Sequence, residues 1–216
     1  NLGQWDTPAR FVGRGAGMTV RAEPGAISLQ LPGEGKGEGV LVRLVFEGAR
    51  AEAAIVGDGR LSGARHFFLG SDPSRWRSDV AVYARVLYRD LYPGIDLALR
   101  FDGAALEYDV LVEPGADLSR VVVRCEGATA VEREDSGRLV LRTALGVLSQ
   151  RAGRTWQVRG DGGEFNRSCR LVPLGEQRFG LEVPGRDASL ATVIDPSLTW
   201  STYLGGGSGP PPGDVA

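Results

Sequence analysis

A chain of 216 residues with 42% hydrophobic and 24% charged residues can bury a sizeable core, as one large β domain or two small ones. A net charge of −2, with its 25 basic residues scattered rather than striped, gives no basic footprint and excludes a nucleic-acid partner from the expected set. No apolar run approaches the roughly 18 residues that a spanning helix needs, so no membrane span is expected.

Thirty-two glycines and 12 prolines suit many short strands joined by turns. In chain order the strand candidates are 18–21, 26–31, 40–46, 51–55, 66–69, 96–101, 106–112, 121–125, 139–143, 147–150, 155–159, 169–173, 179–183 and 198–204. Several alternate apolar with polar, as "ISLQL" and "RLVLRT" do, which marks a half-buried antiparallel strand. "GDGR" at 57–60 and "EDSGR" at 134–138 read as hairpin turns. One segment is ambiguous: Val80, Tyr83, Ala84, Leu87, Tyr88 and Leu91 share a helical face, yet Val80, Val82, Ala84, Val86 and Tyr88 also alternate. Its β-branched residues and the Pro93-Gly94 that follows favour a strand over a two-turn helix. The expected fold is all-β, an antiparallel sandwich with little or no helix, either one unit over 1–198 or two packed lobes over about 1–102 and 103–198.

Cys125 and Cys169 are the only cysteines. They are either two separate buried thiols or a disulfide, and neither has a histidine near it in sequence to make a reactive thiolate. Cys125 is in phase with Val121 and Val123, and Cys169 with Leu171, so both point inward. The expectation is a Cys125–Cys169 bridge.

With the strands placed, three phrases stand out in order: "HFFLGSDPSRWRSDVAVYARVLYRDLYPGIDLALRFDG", "LEYDVLVEPGADLSRVVVRCEGA" and "VIDPSLTWSTYLGG". Together with "NLGQWD" and "RFVGRGAGM" they resemble an uncharacterised β-rich domain near the N-terminus of large secreted bacterial proteins that carry SBBP (β-propeller-type) repeats. The resemblance implies a secreted or cell-surface address. It also implies that the tail from Thr199 begins the first repeat, with "GGGSGPPPG" as a linker. The partner implied is the downstream repeat domain of the same chain; other copies of the chain join as partners if the 198–204 strand adds to a neighbour's sheet instead of pairing within the domain. An unusual first residue, Asn1, agrees with a trimmed start.

Constellations that carry chemistry are few, and no catalytic, metal or cofactor set is expected. Glu107 and Asp109 lie two apart, hence on one strand face, a spacing that serves glycoside hydrolases but more often makes ion pairs with arginines such as Arg85, Arg89 or Arg100. Asp96 and Asp195, beside turns, are expected to accept turn backbone N–H groups rather than to bind calcium. "GRGAGM" at 13–18 lacks a P-loop pattern and reads as a turn or bulge, and the lone His66 reads as structural. Trp76, Tyr83 and Tyr88 are the candidate binding aromatics for a glycan, with core packing as the alternative. The functional expectation is therefore a non-catalytic structural or assembly module. A glycan- or envelope-binding module is the alternative, and a glycosidase the remote one.

Overall fold

The structure, a computed structural model, describes residues 1–15, 17–33, 38–102 and 105–202. Two antiparallel sheets form a sandwich, and among the described residues the only helical pieces are two 3-10 turns, Pro73–Arg75 and Leu118–Arg120. The first sheet has seven strands. β1 (Phe11–Gly15), β2 (Met18–Glu23), β3 (Ala26–Pro32) and β4 (Gly39–Glu47) form a meander, continued by β9 (Val122–Glu126), β16 (Arg178–Glu182) and β15 (Arg170–Gly175).

The second sheet holds the other eleven. β5 (Ala54–Phe67), β6 (Arg77–Tyr92), β7 (Ile95–Asp102) and β8 (Ala105–Val112) form consecutive hairpins. The free side of β8 is covered by β17 (Ala191–Ile194) at one end and β18 (Ser197–Thr202) at the other. β18 in turn carries β12 (Gly146–Arg151), β11 (Leu139–Arg142) and β10 (Ala130–Arg133), while β17 carries β13 (Thr155–Val158) and β14 (Glu164–Arg167). β4 with β9, and β7 with β8, pair across residues 102–103, the point at which a division into lobes was expected.

Alternation explains the core. In β8, Leu106, Tyr108, Val110 and Val112 are buried while Glu107, Asp109 and Leu111 face outward. β9 buries Val123 and Cys125 by the same rule. The outer face of the first sheet is an ion-pair lattice in which Arg43, Arg124 and Arg178 bridge Glu23, Glu47 and Glu126.

The 80–91 segment is strand, as the β-branched residues predict, and belongs to β6. "EDSGR" is the turn between β10 and β11, closed by Gly137 N–H to the Glu134 carbonyl at 2.8 Å. "GDGR", by contrast, is no turn. It runs inside β5, where Gly57 is required because a Cβ there would lie 2.4 Å from the Tyr83 ring. The glycine signal thus marks a close approach on a bulged strand, with a register break between Arg60 and Ala64. Four strands, β1, β10, β14 and β17, were not anticipated. β1, β10 and β14 are sheet edges, and polar "AVER" and "EFNR" bury too little to show a period.

The expected disulfide is absent: both thiols are free. Inward phase held for Cys125, which is buried, and Cys169 is half-buried. Position along the sheet forbids the bond. β16 lies between β9 and β15, Cys125 N–H bonds the Gln177 carbonyl, and Arg170 pairs with Glu182. The offset of about five residues along the strands, roughly 17 Å at 3.3 Å per residue, adds to the width of the intervening strand. A bridge needs Cα atoms within about 7 Å. Burial pushes the Cys125 thiol up to about 12 and the Cys169 thiol up to about 11. Ellman titration should therefore find two thiols per denatured chain and very slow reaction in the fold, and reductant should leave the melting temperature unchanged.

Tyr88 shows how the layers are tied. It is fully buried on β6, and its hydroxyl donates to the Ala26 carbonyl of β3 at 2.9 Å across the sandwich. Tyr92 reaches the Glu47 carbonyl of β4 in the same way at 3.0 Å. Tyr88→Phe should cost about 1 kcal/mol, the net worth of one buried hydrogen bond. Tyr88→Ala should cost about 3–5 kcal/mol, because it leaves a cavity as well. Urea unfolding measures both.

Candidate functional site

The charged residues of β7, β8 and β17 converge on the outer face of the second sheet. Arg100 on β7 stands directly opposite Glu107 on β8, and its guanidinium lies 2.6 Å from that carboxylate. The same guanidinium bonds Asp109, one alternation further along β8. Ile194, at the end of β17, pairs with Val110, and the next residue, Asp195, swings its carboxylate to within 3.6 Å of Arg100. Three carboxylates thus share one arginine, and all four side chains are largely shielded from water.

Burial, then the charge of Asp195, holds the Glu107 carboxyl above its usual range. Asp195 is raised by burial, by a hydrogen bond with Asp109 and by the charge on Asp109. The buried Oδ1 atoms of Asp109 and Asp195 have no hydrogen-bond donor among the described residues. The cluster staples β8 to the junction of β17 and β18.

A stability prediction follows from the raised Asp195. Below the ordinary aspartate value of 3.8, the Asp195 carboxyl is protonated in folded and unfolded chains alike, and its stabilisation is fully present. As pH climbs above that value the unfolded chain releases the proton while the fold retains it up to the raised value, so stability falls across this window. Asp195→Asn should therefore raise the melting temperature at pH 7–8, by about 2–4 °C if the relief is roughly 1 kcal/mol. The advantage should vanish below pH 3.8, a pattern that thermal melts across pH would reveal.

Glu107 and Asp109 share a face as their spacing predicts, and Arg100 is the ion-pair partner. Their sequence neighbourhood gave no sign of Asp195, which was expected to cap a turn. Asp96 does accept a backbone N–H, from Asp90 at 2.6 Å, and also pairs with Arg89 at 2.8 Å. His66 Nδ1 accepts the Asp79 N–H at 3.2 Å. In "GRGAGM", Gly13 and Gly15 belong to β1 and Gly15 pairs with Met18 of β2, while Ala16 lies outside the described residues. Among the described residues no group of His, Cys, Asp and Glu is arranged to hold a metal ion, and no helix is long and apolar enough to cross a membrane.

The three candidate aromatics are not brought together. Tyr88 is core, out of reach of any ligand. Tyr83 is half-buried, its ring covering Gly57 and meeting Phe11 edge-on at 5.8 Å. Trp76 is exposed, at 40%, beside the 60%-exposed Phe68, which packs edge-on against it at 5.4 Å and stacks on His66. Phe68 was missed because nothing in "HFFLG" tells the outward ring from the inward one.

Comparison with protein families matches residues 1–197 to one described as a domain of unknown function, DUF7948. The chain belongs to the DUF7948 family. Neither the curated proteins nor the solved structures contain a match to it. The DUF7948 match stops at Ser197, the first residue of β18, yet β18 runs on to Thr202 in the interior of the second sheet.

Proposed function

We propose that this DUF7948 domain is a non-catalytic structural module of a secreted or surface-attached bacterial protein, which anchors SBBP-type repeats that follow it. The observation that carries the reading is β18. Its Leu198 is fully buried, it pairs along its length with β12 and at Ser197–Leu198 with β8, and the Trp200 indole donates to the Pro32 carbonyl of the opposite sheet at 3.3 Å. The phrase that resembles a repeat start, "STYLGG", therefore has its first two residues inside this sheet. A repeat array joined here is held by a strand of the domain rather than by a free tether. A β18 committed to its own sheet also favours a closed cap over fibres built by donating that strand to another copy.

Arg100 supports a non-catalytic role for Glu107 and Asp109, since one guanidinium occupies both carboxylates. In the full-length protein, Leu198→Asp should release the repeats from the cell surface or expose them to proteolysis. Undiminished display of intact repeats would overturn the anchoring role. A monomeric solution mass is expected for the isolated domain, and filaments would favour strand addition between copies.

A second reading, glycan binding, is favoured by one observation: the exposed Trp76–Phe68 pair. Its test is quenching of tryptophan fluorescence by envelope glycans and loss of that response in Trp76→Ala.

A further inference from the structure

The two sheets separate at one end of the sandwich. There β1 and β2 face β6 and β7 across a cavity of about 590 Å3, within the range of small-molecule sites. Phe11, Val20 and Ala22 line one wall, and Val82, Val86 and Leu99 the other. Trp5, whose ring meets Phe67 edge-on at 4.8 Å, and Gln4 also line the cavity. Phe101 lies along β1, where Gly13 and Gly15 leave room for its ring: a Cβ at either would come within 2.9 Å of it.

Two independent features give the cavity a chemistry. Gln4 is 5% exposed; its Oε1 accepts the Leu2 N–H at 2.6 Å, while its Nε2 is buried with no acceptor. A buried amide donor left unpaired is costly, so the position calls for an acceptor from a ligand. Charge is the second. Arg65 on β5 lines the cavity, and no carboxylate among the described residues does. Arg65 has no acidic partner among the described residues, whereas Arg85 is paired with Asp58.

We propose that this cavity binds an amphipathic anion of the long-chain carboxylate class. The apolar chain fills the gap between the sheets; the head group accepts from Gln4 Nε2 and is held by Arg65. This ligand site does not depend on the anchoring role of β18.

The test is a fluorescence titration of the intact chain with cis-parinaric acid and, in parallel, with its methyl ester. Saturable uptake of one acid per chain is expected, with the ester at least about tenfold weaker because it lacks the charge that Arg65 holds. Arg65→Met should weaken the acid by about tenfold and leave the ester unchanged. Val82→Trp should abolish uptake by filling the cavity; if it fails to fold, Arg65→Met, at an exposed position, still decides the matter. No saturable uptake, or equal binding of acid and ester with no effect of Arg65→Met, overturns the proposal. A dimer by solution mass that parinaric acid does not dissociate would also overturn it, by showing an apolar segment of a second copy in the cavity.

Discussion

A chain ending at Pro196 is expected to lose most of its cooperative stability, although it keeps nearly all of the residues that define the family match. Strand order is the reason. β12, β11 and β10 reach β8 only through β18, so removing residues from 197 onward detaches three strands from the second sheet. The fully buried Leu198 goes with them, and deletion of a buried leucine side chain alone costs about 2–5 kcal/mol. Six ladder positions on β12, Gly146–Arg151, lose their partners, leaving backbone groups beside Leu148 and Gln150 without their ladder. A domain's whole margin is about 5–15 kcal/mol, so the shortened chain should unfold or expose β12 at ambient temperature. Circular dichroism and the urea midpoint of chains ending at 196 and at 202 measure the difference. Equal midpoints would mean that β18 is an accessory.

Gly153→Ala should be comparably damaging through a single methyl group. Gly153 lies between β12 and β13 with φ +60°, a region where an L side chain costs about 1–2 kcal/mol. A Cβ at that position would lie 1.6 Å from the Asp195 carbonyl oxygen and 2.8 Å from its carbon. Both atoms are backbone, in the short joint between β17 and β18, and the Asp195 N–H is already bonded to the Arg154 carbonyl at 3.0 Å. The methyl group can enter only if the joint moves, which shifts Asp195 away from Asp109 and disturbs β18. A loss of more than about 3 kcal/mol is expected, in the class of severe steric lesions. Gly185→Ala is the control: its φ is +70°, but nothing lies within 4 Å of the added atom. It should cost only about 1–2 kcal/mol, the backbone part of the penalty. Equal losses in the two variants would remove the steric explanation.

Much of this fold was legible because alternation is local. "LEYDVLV" states which residues of β8 face inward, and the structure buries Leu106, Tyr108, Val110 and Val112 accordingly. Pairing is not local, and there the reading ran out. Nothing near "VVVRCE" says that β9 lies between β4 and β16, so inward phase suggested a disulfide that position along the sheet rules out. Glu107 and Asp109 were visible as a pair on one face. Asp195 joins them only because β17 lies against β8, a fact carried by no residue within reach of either segment. Glycine was ambiguous for a physical reason: it marks turns and close approaches alike. Gly57 serves the second purpose beneath Tyr83. The candidate aromatics gave composition without direction, and one of them, Tyr88, proved to be core.

Amide hydrogen exchange on β18, in the intact protein, tests most directly whether this strand is the domain's own. The ladder with β12 predicts that the hydrogen-bonded amides of Ser197–Thr202 exchange with the same opening free energy as those of β12 and β8, through global unfolding. Exchange of Ser197–Thr202 at nearly the rate of an unfolded peptide, while β12 and β8 stay protected, would contradict it.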